Sequence, residues 1–241
     1  MAKKKHKDFW NKEYAKRRGG IGGQDAHLAL STEPSEDLKK FTRFLMRHHG
    51  KVHLNVTTKA VDLGCGNGRN LLFLASDFGM RGVGYDTSEV AIQEAQKASG
   101  DLPVEFFVHS LAETIPLPDS SITIALDMMS SHVLRKAERE QLKEEVYRVL
   151  KPGGWLFFKS FLLEEDQNAH RLLQEHPGPE KGMYIHPEIG IPEYVWTEEG
   201  AVSFFETHFA VHKVEKSHKH TKKDGSAWKR RTITLYLEKS K

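Results

Sequence analysis

Three glycines at alternate positions, Gly64, Gly66 and Gly68, stand between two carboxylates, Asp62 just ahead of them and Asp86 18 residues beyond Gly68. Glycine accepts a positive φ and lets a ligand approach the backbone with no Cβ in the way. A helix starting there offers free N–H groups to a polar or anionic ligand. The spacing is not the Gly-x-Gly-x-x-Gly of dinucleotide sites, because Arg69 occupies the last glycine's place, and no Gly-Lys-Ser/Thr follows to form a phosphate loop. Asp62 would repel a pyrophosphate but suits a cationic amino-acid head group or a sulfonium. Asp86 lies near the distance of ~20 residues at which an acid commonly binds ribose hydroxyls.

Two histidines are the candidates for proton transfer, since imidazole titrates near neutrality. His132 follows Asp127-Met128-Met129-Ser130-Ser131, and it reads either as a general base or as a packing histidine at a helix start. His186 lies in a stretch, residues 164–196, rich in turn formers, aromatics and histidines, where loops on a rigid scaffold commonly carry specificity. Cys65 is the only cysteine and lies inside the glycine loop, so packing explains it better than nucleophilic chemistry. One cysteine excludes an internal disulfide framework and fits a reducing, cytoplasmic setting.

Positioning these residues needs alternating strands and helices. Thr57 to Leu63 and Gly82 to Asp86 read as strands on either side of a helix carrying Leu71, Leu74, Ala75 and Phe78 and stopped by Gly79. Thr87 or Ser88 caps a helix with Ala91, Ile92, Ala95 and Ala98 on its buried face. Val104–Val108, Ile122–Leu126 and Trp155–Phe161 follow as strands, the last after a Lys151-Pro152-Gly153-Gly154 turn. Between the last two runs a helix carries Leu142, Val146 and Val149, with Glu144 and Arg148 as an i,i+4 pair. Thr197 caps a further helix, and Phe209–Val214 and Thr232–Leu237 alternate as two final strands. At the start, residues 1–7 read as disordered, Phe9 to Arg18 as a short amphipathic helix, and Gly19–Gly23 as a hinge. Ser35 reads as the cap of a helix ending near Gly50.

Val61-Asp62-Leu63-Gly64-Cys65-Gly66-Asn67-Gly68-Arg69-Asn70 resembles the first motif of the class I S-adenosylmethionine-dependent methyltransferases. Arg148-Val149-Leu150-Lys151-Pro152-Gly153-Gly154 is similar to the turn ahead of that class's fifth strand. The resemblance covers roughly residues 55–240 and implies an α/β, Rossmann-like fold: a seven-stranded, mostly parallel sheet with an antiparallel last strand and helices on both faces. It implies a methyltransferase domain over residues 55–241, with residues 1–54 a basic arm and helices covering the cofactor site. It also implies S-adenosyl-L-methionine held by Asp62, Gly64, Cys65, Gly66, Asn67, Gly68, Asn70, Asp86, Thr87, Ser110, Leu111, Asp127 and Met128, with no metal. Leu111 stands where the class commonly has an Asp on the adenine amino group. The segment from Asp127 is not the Asn/Asp-Pro-Pro-Tyr/Phe of enzymes that methylate base nitrogens. Trp10-Asn11-x-x-Tyr14 looks like the tellurite-resistance and thiopurine methyltransferases, whose N-terminal segment folds over the cofactor and whose acceptors are small.

Charge distribution supplies the rival reading. The net charge is +3, yet residues 1–18 and 213–231 each carry a balance of +6, leaving −9 for the rest. Lys219, Lys222, Lys223, Lys229, Arg230 and Arg231, with Trp228 among them, would suit an RNA backbone and a stacked base. A small-molecule acceptor, neutral or anionic, is the preferred expectation and RNA the alternative; a binding-only module that senses the cofactor is a third reading. No apolar run approaches the ~20 residues of a membrane span.

Overall fold

The computed structural model describes residues 2–18, 31–218 and 229–240, with side chains in the first segment described for residues 6–16. Seven strands form one sheet in the order β3-β2-β1-β4-β5-β9-β8, with the ranges given below, and a separate hairpin pairs β6 with β7. Parallel pairing prevails, and β9 runs antiparallel to both of its neighbours. The chain divides into two compact units, Met1–Leu111 and Ala112–Lys241.

The first unit holds α1 (Ala2–Arg18), α2 (Glu36–His49), β1 (Lys59–Leu63), α3 (Arg69–Phe78), β2 (Arg81–Asp86), α4 (Glu89–Ser99) and β3 (Val104–Val108). β1 is buried from Ala60 to Leu63, as expected for a parallel strand covered on both faces. Gly79 ends α3 in the left-handed conformation, its N–H bonding back to the carbonyls of Ala75 and Leu74. Ser88 caps α4 by accepting from the Ala91 N–H. Ala98 lies on the exposed side of α4, so the buried face stops at Ala95.

Residues 2–7 are helical, contrary to the expected disorder. Nucleation is the costly step in a helix. Once the Phe9–Tyr14 face packs, lysines of good helix propensity extend the helix toward its start at little cost. Lys7 also reaches Glu89 on α4 at 2.6 Å. Ser35 precedes α2 without a side-chain capping bond; instead its N–H donates to Asn70 Oδ1 at 3.0 Å. The proposed hinge at Gly19–Gly23 lies outside the described residues.

The second unit holds β4 (Ile122–Met128), a 3₁₀ turn (Ser131–Val133), α5 (Lys136–Val149), β5 (Leu150–Phe161), α6 (Gln167–Glu175), β6 (Met183–Ile185), β7 (Pro192–Tyr194), α7 (Glu198–Glu206), β8 (Phe209–Lys216) and β9 (Thr232–Lys239). Lys151–Gly154 does not form a separate turn. It belongs to β5, and the register with β4 shifts between Ile122 and Ile124 to accommodate it. Arg148 does not pair with Glu144. Its guanidinium bonds Glu145 and Asp119 and the carbonyls of Ile115 and Leu117, while Glu144 takes His208 at 2.9 Å. Five convergent acceptor atoms outweigh one solvated i,i+4 pair. Residues 164–196 are not all loop: Asp166 caps α6 by accepting from the Ala169 N–H, and Ala169 and Leu172 join Tyr184 and Val195 in a small core.

Candidate active site

In the first unit, Gly64, Gly66 and Gly68 take φ of +75°, +54° and +78°, all left-handed. The N–H groups of Gly64 and Cys65 both donate to the Tyr85 carbonyl, at 2.7 and 2.9 Å, which folds the turn against the end of β2. Two of the glycines are required by close neighbours. A Cβ on Gly66 would run into the Tyr14 hydroxyl, and one on Gly68 would stand 2.7 Å from Phe106.

Asp86 closes the turn from the other side. Its Oδ2 accepts from the Gly66 N–H at 2.9 Å and its Oδ1 from the Ser88 N–H at 2.8 Å. Burial raises its pKa, and those N–H donors, Ser88 and Gly66, oppose the rise. A carboxylate oxygen accepts two hydrogen bonds, so acceptor capacity for a vicinal diol remains on both oxygens. The residues therefore fit an adenosyl ligand: a left-handed glycine turn, a helix start at Arg69 and a carboxylate held by backbone.

Tyr14 and Asn11 of α1 cover this turn. Tyr14 is buried, and burial, then Asp86, pushes its hydroxyl pKa up. Asn11 Oδ1 accepts from Ser88 Oγ at 2.8 Å. Asp62 is buried at the end of β1, and Thr87 directly follows Asp86. Cys65 is buried with its thiol pKa well up, from burial and then Asp86, consistent with packing. The side chains of Asn67 and Asn70 turn away to a neighbouring segment: Asn67 Nδ2 donates to the Ser31 carbonyl at 3.1 Å, and Asn70 holds Ser35. Ser110 and the buried Leu111 follow β3.

In the second unit, the end of β4 carries the other group. Asp127 Oδ1 accepts from Ser130 Oγ at 2.7 Å and the Ser131 N–H at 3.1 Å; burial raises its pKa, and those serines oppose the rise. After Met128, Met129 has φ +60°, a conformation that costs a side chain strain and tends to occur at functional sites. His132 is 5 % exposed and stands edge-on to Phe161 at 5.0 Å. Its Nε2 faces Glu193 Oε1 at 3.9 Å, and its Nδ1 is buried with no hydrogen-bond partner among the described residues.

Glu193 belongs to a buried chain that sequence reasoning missed. Its Oε2 accepts from the Tyr184 hydroxyl, which in turn accepts from Arg230 Nη1. Arg230 Nε donates to Asp166 Oδ2 at 2.8 Å, and the guanidinium lies 4.4 Å from the Phe161 ring centroid. Arg231 is also buried and reaches Glu165 at 3.3 Å. Of the two arginines expected in a surface basic strip, Arg231 is thus internal and Arg230 half-buried: desolvated guanidinium groups need carboxylate partners, and Glu165 and Asp166 supply them. His186 sits in the turn between β6 and β7, its Nδ1 accepting from the Glu188 N–H at 3.3 Å. Residues 219–228 of the basic connection lie outside the described residues. No helix among the described residues is long and apolar enough to cross a membrane.

Comparison with known proteins agrees with this geometry. Residues 61–158 match the model of the methyltransferase domain family. A glycine/sarcosine/dimethylglycine N-methyltransferase of Actinopolyspora halophila is 28% identical over 63% of this chain and 27% of its own length. A 27-O-demethylrifamycin SV methyltransferase of Amycolatopsis mediterranei is 28% identical over 59% of this chain and 53% of its own. The chain thus spans about half, or less, of the length of these curated relatives. A solved S-adenosylmethionine-dependent methyltransferase from Methanosarcina mazei superposes with a TM-score of 0.64 at 25% identity, over 80% of this chain and 96% of that one. With the seven-stranded sheet, the left-handed glycine turn and Asp86 already in place, these matches show a methyltransferase domain over residues 61–158 and the fold of the class I S-adenosylmethionine-dependent methyltransferases.

Proposed function

We propose that the chain transfers a methyl group from S-adenosylmethionine to a small-molecule nucleophile. Bound S-adenosylmethionine supplies an electrophilic methyl on a sulfonium whose departing thioether needs no protonation. The protein's share is to hold both reactants in line, keep water out and deal with any proton on the nucleophile. In this reading Asp86 accepts from the ribose hydroxyls, and the turn Gly64–Gly68 lets the amino-acid portion approach the backbone, with Asp62 facing its ammonium. Leu111 packs on the adenine, Ser110 and Thr87 flank it, and Tyr14 closes over Gly66. Asp127 and Met128 line the end of β4 toward the acceptor.

The observation that carries the proposal is Asp86: a carboxylate that two backbone N–H groups hold in place at the end of β2, with lone pairs to spare. A small acceptor is favoured over RNA by the burial of Arg231 and by the pairing of the half-buried Arg230 with Asp166, which engages two of the six cations offered to a phosphate backbone. The names of the two curated relatives, one acting on amines and one at an oxygen, support the same direction. Titration calorimetry with S-adenosylhomocysteine, followed by transfer of labelled methyl to a panel of small acceptors and to total RNA, tests it. Binding with transfer to a small molecule is expected. Transfer to RNA alone would overturn the acceptor class, and no binding would overturn the reading as a whole.

A further inference from the structure

Three side chains at the glycine turn of the first unit reach the backbone of residues 31–35. Asn67 Nδ2 donates to the Ser31 carbonyl at 3.1 Å, Arg69 Nη1 donates to the Glu33 carbonyl at 3.1 Å, and Asn70 Oδ1 accepts from the Ser35 N–H at 3.0 Å. Residues 31–35 are thereby tied along the start of α3. A guanidinium carries five N–H donors in a rigid fork. Among the described residues the Arg69 side chain makes only the bond to Glu33 and has no carboxylate partner. A cation in the first turn of a helix also opposes the macrodipole, so Arg69 does not serve α3. Beside it, Tyr14 is 7 % exposed, and its hydroxyl over Gly66 makes no hydrogen bond among the described residues. Buried hydroxyls are normally paired. An unpaired cation and an unpaired hydroxyl thus flank the same turn.

We propose that Arg69 and Tyr14 together bind the α-carboxylate of the cofactor's amino-acid portion, so that the site selects an adenosyl ligand whose amino acid is intact. The proposal rests on the methyltransferase reading above. Gly64, Asn67 and Arg69 are partly exposed, so a ligand reaches the guanidinium from solvent without entering the core. Arg69 supplies charge and N–H donors, and charge-assisted bonds of this kind are the strong ones. Tyr14 supplies an O–H donor. It stays protonated because burial, then Asp86 and Cys65, hold its pKa up against the opposing influence of Arg69. Asn67 and Asn70 act through Arg69: by tying down residues 31–35 they fix the Glu33 carbonyl, and with it the guanidinium.

The order of charge along the turn fits a zwitterion. Asp62 precedes the three glycines and Arg69 follows them, an anion and a cation at opposite ends of one turn. These signs match the ammonium and the carboxylate of a single amino acid. A pyrophosphate would meet Asp62 and Asp86, and an adenosine without its amino acid would leave Arg69 and Tyr14 unused.

Calorimetry on the full chain tests this with two ligands, S-adenosylhomocysteine and its decarboxylated form, S-adenosyl-3-thiopropylamine. The second keeps the adenosine and the ammonium and lacks only the carboxylate. S-adenosylhomocysteine is expected to bind tighter by at least about tenfold. Arg69→Gln should weaken its binding by about ten- to a hundredfold and leave the decarboxylated ligand unaffected, which also shows that the variant is folded. Arg69→Lys, which keeps the charge, should retain part of the preference. Tyr14→Phe should lower it by about three- to tenfold. Asn70→Ala should weaken S-adenosylhomocysteine alone, a split that a merely structural asparagine would not give. Equal affinity of the parent for both ligands, or Arg69 and Tyr14 variants that weaken both alike, would overturn the assignment. Binding of neither ligand by the parent would bring down the methyltransferase reading itself, because the Asp86 contacts to ribose are common to both.

Discussion

The glycine turn of the first unit and the polar chain of the second both keep charge in place away from water, and they use different parts of the polypeptide. Around Gly64–Gly68 nearly every bond is made by backbone: Tyr85 and Cys65 carbonyls, and the N–H groups of Gly66 and Ser88 on Asp86. Around Tyr184 the bonds run from side chain to side chain, and removing one member strands the next. A backbone-built site depends on φ and on the absence of Cβ atoms. A side-chain-built site depends on complete pairing. The two should therefore fail in different ways.

The largest effect is expected in the second unit. Arg230→Ala leaves Asp166, Tyr184 and Glu193 without their cation, and breaking a buried pair in this way costs about 3–5 kcal/mol. Urea unfolding should register that loss, while the fraction still folded binds S-adenosylhomocysteine with unchanged affinity. A loss under ~0.5 kcal/mol, the usual range for a surface change, would mean the chain is not a structural unit.

Asp86→Ala should act on binding more than on folding. Each charge-assisted hydrogen bond lost to the ligand is worth ~1.5–3 kcal/mol, so calorimetry should show affinity falling at least tenfold. Unchanged affinity would remove Asp86 from the site.

Gly66→Ala comes next. A side chain at φ +54° costs about 1–2 kcal/mol, and the added methyl meets Tyr14. Combining it with Tyr14→Phe should recover part of the loss, since residues in contact are not additive. Full additivity would show that α1 does not press on the turn.

The smallest effect is a pH dependence. Burial lowers the His132 pKa below its ordinary 6.5. As pH falls below 6.5, the unfolded chain takes up a proton that the folded chain resists, so stability is present above that pH and declines beneath it. The slope is at most ~1.4 kcal/mol per pH unit. His132→Asn should flatten the decline between about pH 6.5 and 5, and an identical slope in the variant would place His132 in water.

The difference in construction also explains what a reader of the chain can foresee. Strand, turn, helix and Asp86 fall within residues 57–86, and backbone chemistry leaves its mark as glycine spacing. The polar chain draws on residues 132, 166, 184, 193 and 230, and no local pattern links them. Glu193 lies between Pro192 and Tyr194 and reads as part of a turn. Arg230 lies inside the run Lys229–Arg231 and reads as surface, because pairing of a charge is decided by a partner 64 residues away. The Asp166 cap of α6 is a local signal, and it was obscured by the prolines and glycines that follow it.

The position of β9 bears on how the second unit is made. β9 lies between β5 and β8, with antiparallel partners on both sides. It leaves the ribosome after every other strand named here, so until Thr232–Lys239 emerges β5 keeps an open edge from Trp155 to Phe161, largely apolar. Exposed apolar edges recruit other chains, and late, non-local pairing is slow. Synthesis speed and chaperone access during that interval should therefore govern the yield of soluble protein, and variants that weaken β9 should be lost to aggregation during expression before any loss of equilibrium stability is measured.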